Sequence, residues 1–163
     1  MCGHTLINVN VVAARRWESA GMSAEPELIL YTDGASRGNP GPAAIGYSIY
    51  DSGGNLIEKD ARTIGRHTNN EAEYEAILWG IEKLRERSCG MVRVFSDSEL
   101  VVRQTSGAYD VNSDRLRIYA QRVAQNKKLF DSFELSHVPR SNPRIALVDE
   151  LVNAALDREA AGR

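Results

Sequence analysis

Two cysteines, Cys2 and Cys89, are all that the 163-residue chain carries. That is too few for a disulfide framework, and a reducing cytoplasm is the compartment that fits. No apolar run approaches the roughly 20 residues a membrane helix needs, so a soluble protein with no membrane partner is expected. A signal-peptide pattern is also missing, because the short apolar run Leu6–Val12 is followed, not preceded, by Arg15 and Arg16. Positive charge is not in excess: 20 Lys and Arg stand against 22 Asp and Glu, a net charge of −2. Bulk charge therefore gives no support to a polyanionic partner, and any such binding must come from local clusters. The Cys2-Gly3-His4 triplet lacks the second Cys/His pair that a zinc site would need. There is no internal repeat and no low-complexity tract. What is present, 42% hydrophobic and 26% charged residues, is ordinary globular composition at a length that suits one domain and a monomer.

Residues 1–26 read as a loosely ordered N-terminal extension, with Leu6–Val12 able to form a strand and Met22 a candidate natural start. Residues 27–163 read as one organised domain. Leu28–Thr32 is a short apolar run, long enough for a buried strand and too short for a helix. It stops at Asp33-Gly34, ahead of the turn chemistry of Asn39-Pro40-Gly41. Ala44–Tyr50 and Leu56–Ile64 form a hairpin across Ser52-Gly53-Gly54-Asn55. Thr68 with Glu71 is a capping-box signature. It opens a helix to about Arg87 whose buried face is Ala72, Ala76, Ile77, Gly80, Ile81 and Leu84; Trp79 belongs to its packing surface. Met91–Ser96 is a fourth strand ending at Asp97. Helices follow over Ser98–Thr105 and Arg115–Leu129, then a fifth strand, Ser132–Val138. A proline-rich loop, Pro139–Pro143, leads to a last helix from about Ile145 to Ala160. This order implies an α/β fold, a five-stranded mixed sheet flanked by helices.

Four acids stand where they can meet. Asp33 and Asp97 each end a central strand; Glu73 lies in the first turn of the long helix and Asp149 in the first turns of the last. Singly, each has a plain explanation: Asp33 opens a turn, Asp97 caps a helix, and Glu73 and Asp149 favour a helix dipole. Together they would bring four negative charges into one cleft, which repels itself unless cations bind or protons stay on. Oxygen-only ligands select Mg²⁺ or Mn²⁺, and paired ions of this kind serve phosphoryl transfer.

The segments YTDGASRGNPGPAAIGY, HTNNEAEYEAI, FSDSELVV and VDELVNAALD resemble, in order, the ribonuclease H type 1 family. The resemblance runs from Glu27 to about Ala160. It implies the ribonuclease H-like fold and hydrolysis of the RNA strand of RNA/DNA hybrids with two Mg²⁺ ions, leaving 5′-phosphate and 3′-hydroxyl ends. By the same resemblance Asp33 would bridge both metals, Asp149 would complete the ion that activates water, and Glu73 and Asp97 the ion at the leaving oxygen. Gly34, Ala35, Ser36 and Asn39 would approach the RNA backbone, and Asn69 and Glu73 would touch 2′-hydroxyls. Thr68, with Arg66, would hold a DNA phosphate, and Asn70 would read the minor groove.

Three departures from the family pattern stand out. The basic protrusion of many members is replaced by Gly107–Asp114, without Lys or Arg; Arg115, Arg117, Arg122, Lys127 and Lys128 could form a substitute patch. Glu99 stands where many members have Gln, and can accept from a 2′-hydroxyl but not donate. The loop before Asp149 has no His; Arg140 is the nearest candidate for that position, and His137 reads as structural. Transposases, integrases and proofreading exonucleases share the fold, but the TNNEAE segment argues against them. A hybrid-binding module without catalysis would have no use for four repelling carboxylates.

Overall fold

The computed structural model describes residues 27–162; the N-terminal extension expected over 1–26 lies outside the described residues. Strands β1 (Leu28–Ser36), β2 (Gly41–Asp51) and β3 (Leu56–His67) lead into helix α1 (Asn69–Arg87) and strand β4 (Met91–Ser96). Helices α2 (Glu99–Thr105) and α3 (Asp114–Lys127), strand β5 (Ser132–His137) and helix α4 (Pro143–Ala161) complete the chain. The sheet order is β3-β2-β1-β4-β5, antiparallel from β1 through β3 and parallel from β1 through β5. The expected five-stranded mixed sheet is what forms. No helix among the described residues is long and apolar enough to cross a membrane.

Both faces of the sheet are covered, which is why β1 reads as a continuous apolar run rather than an alternation. Leu28 and Leu30 point to one face, against Ile77, Ile81 and Leu84 of α1. Tyr31 points to the other, against Ile145, Val148 and Val152 of α4. Trp79 stacks edge-on against Tyr47, with ring centroids 4.8 Å apart, and so belongs to the packing surface as expected.

Several boundaries differ from the expected ones. β1 does not stop at Asp33. Its parallel pairing with β4 ends at Thr32 opposite Ser96, but its antiparallel pairing with β2 continues to Ser36 opposite Ala43. Asp33 therefore leaves one ladder while still held by the other. Glu73 lies in the second turn of α1, not the first, because the helix opens at Asn69 behind the Thr68 cap. Pro143 is not loop: it is the first residue of α4, where its fixed φ suits a helix start, behind an Asn142 side chain that accepts from the Arg144 and Ile145 amides.

Candidate active site

Two close approaches bring the acids together. A side chain on Gly34 would overlap the Ala72 carbonyl, so only glycine lets β1 press against the second turn of α1. In return the Gly34 amide donates to Glu73 Oε1 at 2.9 Å. Gly46, paired with Asp33 across the β1–β2 ladder, leaves room for Val148 and Val152, whose methyls would stand 3.0 Å from an added Cβ. That seats α4, and Asp149 with it, over Asp33.

Asp33 and Glu73 are buried, and Asp97 is half-buried just beyond β4. Each of the three offers a carboxylate oxygen, and these oxygens lie within 4.8 Å of one another. Asp149 closes the group from α4, close enough to share a proton with Asp33. Burial, then the charges of Asp97 and Asp149 and the Asp149 hydrogen bond, push the Asp33 carboxyl up to about 8, against the pull of Arg140. Burial and the charges of Asp33 and Asp97 push Glu73 well above the usual carboxylate range, against the Gly34 amide. The repulsion expected of a four-acid cleft is thus present. Asp97 Oδ1 is buried without any hydrogen-bond partner, a costly arrangement for a carboxylate unless a cation completes it. An oxygen-only donor set with one such orphaned atom fits a hard divalent ion.

Arg140 reaches this group. Its Nη2 stands 3.8 Å from Asp149 Oδ1, on a side chain that is 80% exposed. His137, expected to be structural, is exposed at the end of β5.

Several of the residues expected to meet substrate gather where the β1–β2 connection meets the start of α1. Asn69 Oδ1 accepts the Ser36 amide at 3.3 Å, and the Asn69 amide donates to Asn39 Oδ1 at 3.0 Å, which ties the β1–β2 loop to the start of α1. Thr68 forms the expected capping box with Glu71. Asn39, Thr68 and Asn70 line a cleft of about 260 Å³ with Ser113 and Arg115. Arg66 lines a neighbouring cleft rather than this one. Ala35 is half-buried beside Gly34. Glu99 opens α2, exposed and 3.4 Å from Arg103. One contact was beyond sequence reasoning: Arg37 pairs with Asp157 of α4 at 2.7 Å and donates to Asn153. Partners more than a hundred residues apart leave no local signal.

Residues 31–155 match the reverse transcriptase-like family model. The chain is 41% identical over 127 residues to ribonuclease HI of Halobacterium salinarum, covering 78% of this chain and 63% of that protein. It is 35% identical over 136 residues to a bifunctional protein of Mycobacterium tuberculosis, of which it spans 36%; the chain thus spans less than two thirds of either curated relative. The crystal structure of RNase H1 from Halobacterium salinarum superposes with a TM-score of 0.76 at 40% identity, covering 81% of this chain and 98% of that one. LC11-RNase H1 in complex with an RNA/DNA hybrid gives 0.76 at 40%, covering 82% and 99%. With four acids on this fold and these likenesses along most of its length, the chain belongs to the ribonuclease H type 1 family, as a compact member whose α2–α3 connection carries no lysine or arginine.

Proposed function

We propose that the protein is a metal-dependent endonuclease that hydrolyses the RNA strand of RNA/DNA hybrids, leaving 5′-phosphate and 3′-hydroxyl ends. The observation that carries this reading is the convergence of Asp33, Glu73 and Asp97 within 4.8 Å, with Asp97 Oδ1 left unpartnered. The likeness to LC11-RNase H1, a protein crystallised with such a hybrid, supports the substrate class.

Asp33, Glu73 and Asp97 would hold one Mg²⁺ and Asp33 with Asp149 a second, Mn²⁺ serving as a substitute. When bound, such ions supply a water nucleophile at neutral pH and stabilise the charge on the leaving 3′ oxygen. The chain's own groups do the rest. Asn69 and Glu73 meet 2′-hydroxyls, the feature by which an RNA strand is told from DNA. Gly34, Ala35 and Ser36 at the end of β1, and Asn39 in the connection that Asn69 and Arg37 fix in place, hold the RNA backbone. Thr68 and Arg66 take phosphates of the DNA strand, Asn70 faces the minor groove, and Glu99 accepts from a 2′-hydroxyl. Arg140 attracts the scissile phosphate or the departing product electrostatically.

The test is incubation of labelled hybrid, single-stranded RNA and duplex DNA with and without Mg²⁺. Internal cuts confined to the RNA strand of the hybrid, and abolished by chelation, are the expected result. Cutting of duplex DNA instead would overturn the reading.

A further inference from the structure

The five basic residues that the sequence groups after the α2–α3 connection do not form one patch. Arg117 turns back onto Asp114 at 2.8 Å and the Val111 carbonyl at 2.9 Å. Lys127 and Lys128 lie at the far end of α3, in a cleft against Phe130 and Phe133. Arg115 and Arg122 instead line a cleft of about 270 Å³ with Ile118 and Tyr119, positions that recur on one face of α3. Across that cleft stand Arg66 and His67, the last two residues of β3.

This groove carries positive charge that the protein itself does not neutralise. Of its three arginines, only Arg115 has an acid partner, Glu71 at 3.2 Å. Arg66 and Arg122 form no ion pair among the described residues. Three arginines against one lining carboxylate leave a net charge of two. Glu71 also accepts from the Thr68 amide at 2.8 Å, and the nearby Glu75, which accepts from the Tyr119 hydroxyl at 2.7 Å, keeps its charge and leaves the groove with an excess of one. His67 Nδ1 has no hydrogen-bond partner. The groove is also continuous with the cleft of Thr68 and Asn70, because Glu71 and Arg115 line both.

We propose that this groove, walled by Arg66, Arg115 and Arg122, is a track for consecutive phosphates of the DNA strand, extending the contact made at Thr68. The inference rests on the hybrid-hydrolase reading and deepens it. The RNA strand occupies the acids, so the strand leaving by way of Thr68 and Asn70 is its complement. From Arg115 to Arg122 α3 rises about 10 Å, enough for two or three phosphates of one strand at roughly 3.4 Å of axial rise each. A chain with net negative charge and no basic protrusion thereby gains a local anion site.

The experiment follows hybrid binding by fluorescence anisotropy between low and moderate KCl, in Mg²⁺, using the full chain with Asp33→Asn so that substrate stays intact. Adding Arg115→Ala and Arg122→Ala, which leaves the Thr68 and Arg66 contact intact, should shift the logarithmic salt slope toward zero by about 1 to 2, at up to about 0.9 per phosphate released. Both side chains are exposed, and Arg115→Gln with Arg122→Gln repeats the test should the alanine pair fail to fold. Arg117→Ala with Lys128→Ala should leave the slope unchanged. Methylphosphonates in the DNA strand should flatten the parent's slope and have little further effect in the arginine variant. An unchanged slope in the arginine variant, or the same masking by methylphosphonates in the RNA strand, overturns the groove. Cleavage by the chain without Asp33→Asn is scored separately. Cutting with an unaltered slope sinks only the groove, whereas groove-dependent binding without cutting sinks only the hydrolase reading.

Discussion

The Gly34 amide donates to Glu73 Oε1 at 2.9 Å, and a Cβ on Gly34 would overlap the Ala72 carbonyl. The contact that aims one acid therefore also forbids a side chain beside another. Gly34→Ala should force β1 and α1 apart, costing about 1–3 kcal/mol or more as overpacking does. Metal affinity should fall with it. Thermal denaturation with and without Mg²⁺ measures both; a variant as stable as the parent would show that the two elements slide apart freely.

The raised carboxyls make a pH prediction for the metal-free protein. Asp33 titrates near 3.8 in an unfolded chain and at about 8 in the fold, so the folded state binds more protons between those values. The contribution of this group to stability should be largest near pH 4, fall as pH rises toward about 8, and level off beyond. Mg²⁺ binding, which needs the carboxylates ionised, should strengthen over the same interval. Melting temperatures in chelator that rise from pH 5 to pH 8 would contradict the charge cluster.

Neutralising one acid should relieve that repulsion. Asp97→Asn removes a charge that acts on both Asp33 and Glu73. Near pH 8 it should raise the metal-free melting temperature by about 2–4 °C for each kcal/mol relieved, with little change near pH 4. A clear drop at both pH values would mean that Asp97 serves the fold more than the site, although Ser98 and not Asp97 caps α2.

How much of this was readable from the residues depends on how local the cause is. The capping box at Thr68 and Glu71 and the inward face of α1 are local, and the structure keeps them. The end of β1 is not local: Asp33 to Ser36 look like a turn but are held extended by pairing with β2. The basic residues of α3 formed one group in the sequence. Which of them meet Arg66 depends on how α3 lies against β3, information that no spacing carries. The Arg37–Asp157 pair is of the same kind.

Arg140 offers a cleaner separation of charge from proton transfer. A guanidinium cannot serve as a general base at working pH, so any contribution is electrostatic. Its exposed pair with Asp149 should be worth no more than about 1 kcal/mol to the fold. Arg140→Ala should lower turnover about tenfold or more with scarcely any change in melting temperature, and Arg140→Lys should recover part of it. His137→Ala, at an exposed site, should leave both nearly unchanged. A histidine-like inflection in the pH–rate profile that vanishes in His137→Ala would make His137 the catalytic group instead.

The central claim is that four carboxylates on this fold form a metal-dependent centre that cuts RNA within a hybrid. The most direct measurement compares initial rates of RNA-strand cleavage by the unaltered chain and by Asp33→Asn, with labelled hybrid at saturating Mg²⁺. The account predicts internal RNA cuts by the former and a loss of at least about a hundredfold in the latter, as expected when a principal charge-stabilising group is removed. Cleavage by Asp33→Asn at a rate close to that of the unaltered chain would contradict it.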